Sequence, residues 1–204
     1  MSVALPPPPA FGAPLPVEPA PEVLAFLARR RSASALTLAE PGPSASQIED
    51  LIQLAARVPD HGKLAPWRFV VLQGAAKAAF AADLGQIAND RGEPVLAAKL
   101  GKLTAPPLAI AVIASPKPAA IPEWEQVLSA GAACATLTYA ALAMGFGANW
   151  ITDWYAYDSA AGARLGLQRA EKVAGFILIG TPREPPLERE RPDPQALTSY
   201  GAKP

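Results

Sequence analysis

Residues Arg57–Val71 read RVPDHGKLAPWRFVV. Two prolines, Pro59 and Pro66, bracket the chain's one histidine, His61, and the stretch ends in an aromatic and β-branched run. Proline fixes φ, removes an amide donor and biases the residue before it away from helix, so the segment reads as a loop running into a strand. Immediately upstream, PSASQIEDLIQLAARV offers Ser44 or Ser46 as an N-cap and an Ile48, Leu51, Ile52, Leu54, Ala55 stripe at helical spacing. A helix that stops at Pro59 and hands over to the strand WRFVVLQG across so short a loop points to a mixed fold.

The same alternation continues in both directions. PEVLAFLARRRSASAL opens with Pro21 and Glu22, suited to a first helical turn, and predicts a helix ending near Arg29 to Arg31. Downstream, AKAAFAADLGQIANDRG and PVLAAKLGKL read as two helices divided by Gly92-Glu93-Pro94, and APPLAIAVIASP as a second strand bounded by prolines. A long central helix is expected after Trp124-Glu125-Gln126, ending near Gly145 or Gly147, with ANWITDW beginning another strand. SAAGARLGL reads as a short helix and KVAGFILIGTP as the clearest strand. Helices dominate, with four or five strands among them, which predicts a layered α+β fold rather than a strictly alternating one.

Composition bounds the function. At 204 residues, half of them hydrophobic, the chain can bury one sizeable core. We expect a proline-rich arm over residues 1–20 and a single domain over 21–204. Eighteen basic and eighteen acidic residues cancel, which removes the diffuse positive field of a general nucleic-acid or anionic-membrane binder. The single cysteine, Cys134, forms no intrachain disulfide and no multi-cysteine metal site; a cytoplasmic location is the default expectation. The N-terminus lacks the basic and apolar regions of a signal peptide. The uncharged run Val127–Thr152 is long enough to cross a bilayer, but its serine, threonine, glycine and asparagine residues and the lack of flanking basic clusters favour a buried central helix.

Two basic segments carry the chemistry. Arg29, Arg30 and Arg31 precede Ser32 and Ser34, and Arg189 and Arg191 lie in LERERPDP near the other end of the chain. Each alone reads either as surface charge or as an anion clamp, since a guanidinium fork matches two phosphate oxygens and stays charged. GFGANW at Gly145–Trp150 supplies only two glycines of a dinucleotide fingerprint and follows a helix, and no P-loop is present. With no second histidine and no neighbouring cysteine, His61 is poorly placed for zinc, and there is no nucleophile elbow for a triad. A bound cofactor would account for this shortage of reactive side chains.

The order RRSAS, RVPDHGKLAPWRFVV, WEQVLSAGAA, GFGANW and GFILIGTP resembles the FMN-dependent nitroreductase family, most of all its compact YdjA-like subgroup, over about Glu22 to Tyr200. The resemblance implies a central, mostly antiparallel sheet flanked by helices in an intertwined homodimer with FMN at the interface. It also implies NADH or NADPH as reductant and a small-molecule electron acceptor such as a nitroaromatic or quinone, in ping-pong order, without a catalytic side chain. Carried over residue by residue, Arg30, Arg31, Ser32 and Ser34 fall on the flavin-binding element and Arg189 and Arg191 on the late basic pair that contacts phosphate. Arg57, Pro59, Asp60 and His61 fall on a loop closing over flavin, often from the partner subunit, and Trp150, Ile151 and Thr152 on the segment beside the ring. Ser34 stands where many relatives have a basic residue, Lys63 and Ala65 where many have Asn and Gln, and Ile151 where the subgroup commonly has Arg; Arg57 or His61 is expected to supply the missing polar group. Other readings are a same-fold flavoenzyme of different chemistry, dehalogenation or dehydrogenation, and a non-catalytic flavin-binding or partner-binding protein.

Overall fold

The structure is a computed structural model and describes residues 5–201. In chain order the elements are α1 (Pro21–Arg29), β1 (Leu38–Ala39), α2 (Ala45–Ala55), β2 (Trp67–Gln73), α3 (Gly74–Asp90), α4 (Pro94–Lys99), α5 (Gly101–Thr104), β3 (Leu108–Ala114), α6 (Glu123–Ala143), β4 (Gly147–Ile151), α7 (Ser159–Arg164) and β5 (Lys172–Pro182). Single 3-10 turns lie at Ala35–Thr37, His61–Lys63 and Trp154–Ala156. Residues 5–20 form no helix or strand and are almost wholly exposed.

All five strands belong to one sheet in which every pairing is antiparallel, with β3 between β2 and β5 and with β4 and β1 also on β5. The strand β3, LAIAVIA, is buried at every position, which explains why its sequence is a continuous apolar run: both faces of the sheet are covered. Alternation then sorts the side chains. Ala109, Ala111 and Ile113 of β3 join Phe176 and Leu178 of β5 in a core with Phe80 and Leu84 of α3. Leu108, Ile110 and Val112 join Ile177 and Ile179 in a second core with Leu51 of α2 and Ala133, Cys134 and Leu137 of α6. Each fully buried Leu, Ile or Phe contributes about 1.5–3 kcal/mol, so the sheet between these cores is the stabilising centre. Among the described residues one helix, α6, is long and apolar enough to span a bilayer; here it is the core helix, packed on β3, β4, β5 and α2.

Three sequence readings are corrected. The central helix starts at Glu123, earlier than expected, because Pro122 sets the entry and Glu123 and Glu125 suit the positive end of the helix dipole. Gln126 therefore lies inside it, buried, and its amide ties down the preceding loop through Lys117 and Ile121. The segment PVLAAKLGKL is two short helices that meet at Leu100, ahead of Gly101. Gly74 does not end the strand but opens α3, at a φ of +52° that favours glycine. The N-cap of α2 is Ser44, whose hydroxyl accepts from the Gln47 amide while the Gln47 side chain accepts from the Ser44 amide.

Candidate functional site

The two-residue strand β1 is what brings the ends of the chain together. Leu38 and Ala39 pair with Pro182 and Thr181 at the end of β5, and the Arg183 amide donates to Thr37 O at 2.9 Å. Residues 31–37 are thereby laid beside the strap that follows β5, residues 183–191, kept extended at Pro185 and Pro186. Arg31 Nε donates to Leu187 O at 2.8 Å and lies 3.9 Å from Glu188 Oε1. Arg191 Nη2 reaches Arg30 O at 3.4 Å and Glu188 Oε1 at 2.9 Å. Between them opens a cleft of about 470 Å³ lined by Arg31, Ser32, Ser34, Thr37, Glu184 and Leu187 among others. Arg189 contributes a backbone amide, which donates to Glu188 Oε1 at 2.7 Å. The Glu188 carboxyl is held below its usual range by that amide and by the Arg191 hydrogen bond.

A second, adjoining recess of about 270 Å³ joins Arg30 and Ser32 to Ala135, Thr138 and Tyr139 of α6 and Trp150 of β4. The Ala33 amide donates to Ala148 O at 3.1 Å and the Asn149 side-chain amide donates to Ala33 O, so the Arg30–Ser32 segment is fixed against β4. The Arg30 guanidinium lies 5.7 Å from the Tyr139 ring centroid and donates from Nη2 to Ser32 Oγ at 3.3 Å. Its Nε is buried without a partner among the described residues. An orphaned cationic donor at the wall of a recess is costly unless an acceptor arrives. Trp150 lies over Gly175, where any Cβ would strike the indole, and its Nε1 donates to Ala174 O at 3.2 Å. Ile151 packs into the α3-side core, so its side chain is not part of this recess. Thr152 follows it, half-buried.

The loop of residues 57–66 sits farther along α6. Asp60 accepts from the Leu64 amide at 3.1 Å and the Ala65 amide at 2.7 Å, holding a turn in which Gly62, Lys63 and Ala65 all have positive φ. Ser129 Oγ of α6 donates to Pro59 O at 2.7 Å and accepts from Trp67 Nε1 at 3.1 Å, which pins the loop to the helix. His61 Nδ1 lies 2.7 Å from Glu125 Oε2 over a recess of about 330 Å³ lined by Pro59, Leu128 and Ala132. Arg57 is exposed, and its side chain has no hydrogen bond or ion pair among the described residues. Sequence reasoning missed Asn149, Ser129, Tyr139 and Glu125 as parts of these recesses; the polar residues spaced along one flank of an otherwise apolar α6 were the available signal. Another recess, of about 500 Å³, lined by Tyr157, Leu167, Arg169 and Lys172 among others, holds none of the expected site residues. Among the described residues no three His, Cys, Asp or Glu side chains cluster to hold a metal.

Within one chain the arginine clefts and the His61 recess are therefore separate, about 15 Å apart along α6 from Ser129 to Tyr139. An all-antiparallel five-stranded sheet covered by helices on both faces defines the class: a layered α+β fold whose two basic segments meet at the β1–β5 edge. The chain belongs to the nitroreductase family, whose profile matches residues 27–181. It is 34% identical over 184 residues to YdjA of Escherichia coli K12, provisionally named an NAD(P)H nitroreductase, covering 88% of this chain and 99% of that one. A Haemophilus influenzae protein with the same provisional name is 35% identical over 173 residues, covering 83% and 92%. Among solved structures, a nitroreductase-like protein from Bacillus cereus superposes with a TM-score of 0.75 at 17% identity, covering 92% and 98%. A Desulfovibrio desulfuricans structure, described as a nitroreductase in complex with FMN, superposes at 0.67 and 20% identity, covering 89% and 98%. The chain is accordingly an enzyme of this family, an oxidoreductase. The residues of the Arg30 recess fit a flavin mononucleotide: the orphaned Arg30 Nε and the Ser32 hydroxyl beside the Tyr139 and Trp150 rings suit an anionic group joined to a planar ring.

Proposed function

We propose that this protein is an FMN-dependent NAD(P)H oxidoreductase that works as a homodimer. The observation that supports it is the meeting of the Arg30–Ser32 segment with the Leu187–Arg191 strap, 156 positions apart in the Arg31 to Leu187 contact, beside a cleft lined by Arg31, Ser32 and Leu187. When bound, FMN supplies two-electron chemistry, taking hydride from NADH or NADPH and passing it to a nitroaromatic or quinone-like acceptor in ping-pong order.

The chain's own residues bind, orient and shield. Arg31, Arg191, Ser32 and Ser34 would hold the phosphate, and the unpartnered Arg30 Nε–H would donate to a ligand oxygen or ring nitrogen. Arg189 would act through its backbone amide. Trp150 and Thr152 would flank the ring, with Ile151 holding β4 in place from the core side. Because Pro59, Asp60 and His61 lie at a different recess of the same subunit, they would close over the flavin of the other subunit. Asp60 would do so by shaping the loop. With Nδ1–H donated to Glu125, His61 presents Nε2 as the polar group at that position, while Arg57 stands outside. The half-exposed flank of α6, carrying Leu128, Gly131, Ala132, Ala135 and Tyr139, would form the seam between subunits.

The experiment is anaerobic. The purified protein loaded with FMN should lose its yellow absorption on addition of NADH or NADPH and regain it when a quinone or nitroaromatic is added. Arg31→Ala and Arg191→Ala should each weaken FMN binding by roughly 10- to 100-fold, the range for a lost charged hydrogen-bonded pair. Colour that persists under both nicotinamides would make this a flavin-binding module and not a reductase.

A further inference from the structure

The recess of about 500 Å³ beside α7 lies on the opposite side of the sheet from α6. Its walls come from the 3-10 turn at Trp154–Ala156, from α7, from the loop of residues 167–171 and from the start of β5. Ala156 and Val173 also belong to the core shared with Phe80 and Leu84 of α3, so a second subunit seated on α6 would leave this recess open. Its size falls within the range of about 300–1,000 Å³ usual for small-molecule pockets. Part of the lining is apolar and preset. Leu167 lies against α7 at Gly162, where a Cβ would meet its Cδ1 at 2.9 Å, and the Leu167 amide donates to Gly162 O at 3.0 Å. Ala163 and Val173 add to this apolar lining, and Tyr157, 76% exposed, adds an aromatic ring.

The charges around it are not balanced, because both lining carboxylates are already committed. Asp158 pairs with Arg91 Nη1 at 2.6 Å and accepts from the Ala161 amide at 2.9 Å. Glu171 accepts from Arg68 Nε and Nη2 and from the Gln168 amide. The two lining cations, Arg169 and Lys172, are exposed and have no hydrogen bond or ion pair among the described residues. A partly apolar recess with a free guanidinium fork and a free ammonium complements an anion carried on an apolar body. We propose that this recess binds a small aromatic carboxylate, with its ring against Leu167, Val173 and Tyr157 and its carboxylate on Arg169 and Lys172. A free phosphate would leave the apolar lining unmatched, and an uncharged ring would leave both cations unmatched. The site is independent of the flavin reading, since it shares no residue with the arginine clefts.

The test titrates the full-length protein, with FMN in excess, with naphthoate and follows the backbone amides by NMR. Saturable shifts are expected at Gly162, Leu167 and Val173 and not at Ser32 or Ser34. Arg169→Ala and Lys172→Ala should each weaken binding by roughly 3- to 10-fold, the scale of one exposed charge-assisted hydrogen bond. Both side chains are exposed and unpaired among the described residues, so an unchanged melting temperature should accompany each loss. Naphthylmethanol, which keeps the rings and lacks the charge, should bind more weakly than naphthoate. Hexanoate, which keeps the charge and lacks the ring, should do the same. No saturable shift, or shifts at Ser32 and Ser34 instead, would overturn the proposal. Equal affinity for naphthoate and naphthylmethanol would overturn it too, as would unchanged naphthoate binding when Arg169 and Lys172 are both replaced.

Discussion

Asp60 turns its carboxylate back onto its own loop, and two other side chains show equally well how a residue's neighbours fix its chemistry. Glu171 accepts from Arg68 Nε at 2.8 Å and Nη2 at 2.7 Å, and from the Gln168 amide at 2.9 Å. These hydrogen bonds, that from Arg68 foremost, hold its carboxyl down to about 2. The folded pKa lies below the ordinary value of 4.5, so the stabilisation is fully present above about pH 4.5 and is lost as pH falls from there toward 2. After allowance for the solvent reaching Arg68, acid denaturation curves should show on the order of 2 kcal/mol lost across that window, and Glu171→Gln should flatten this part of the profile. Cys134 is fully buried, and burial pushes its thiol up to about 12. Thiol reagents should leave it unmodified in the native protein and label it completely once the chain is unfolded. Its packing role was legible from the small apolar residues around it. The inward turn of Asp60 was not, because the positive φ angles at Lys63 and Ala65 that its carboxylate supports have no sequence signature.

Elements were legible in proportion to their length and periodicity. The strand β5 matches the reading of KVAGFILIGTP from end to end, whereas the two residues of β1 are too few to show any period. Yet it is β1 that sets the Arg31–Leu187 meeting, so the site's assembly depended on the element the sequence hid best. The paired strands β4 and β5 offer a test at this scale. Gly175 admits the Trp150 indole directly onto the β5 backbone, and an added Cβ has nowhere to go. Gly175→Ala should cost about 1–3 kcal/mol in chemical denaturation, as overpacking commonly does. It should also weaken FMN binding, since Trp150 lines the recess beside Arg30.

At the scale of the whole molecule, the two cores on either side of the sheet are complete in one chain, while the recesses along α6 are each half-walled. The proposal that these are two halves of an interfacial site comes from the family resemblance; composition alone suggests no such division. Gly131 lies on the half-exposed flank of α6 with no atom near enough to meet a Cβ. Gly131→Trp should therefore fold normally as a single subunit but block close approach of a second α6. Sedimentation equilibrium is expected to give twice the chain mass of 21.2 kDa for the unaltered protein and a single-chain mass for this variant. Flavin should be lost along with the pairing.

The position of β5 has a consequence for synthesis. Hydrogen-bonded to β1, β3 and β4 at once, it is the keystone of the sheet, and it is also the last strand to leave the ribosome. From residue 114 to residue 182, about a third of its length, the growing chain therefore carries β3's all-apolar run with no completed sheet to receive it. The sheet cannot close before residues 172–182 are made, and a growing chain short of them exposes apolar surface that favours aggregation.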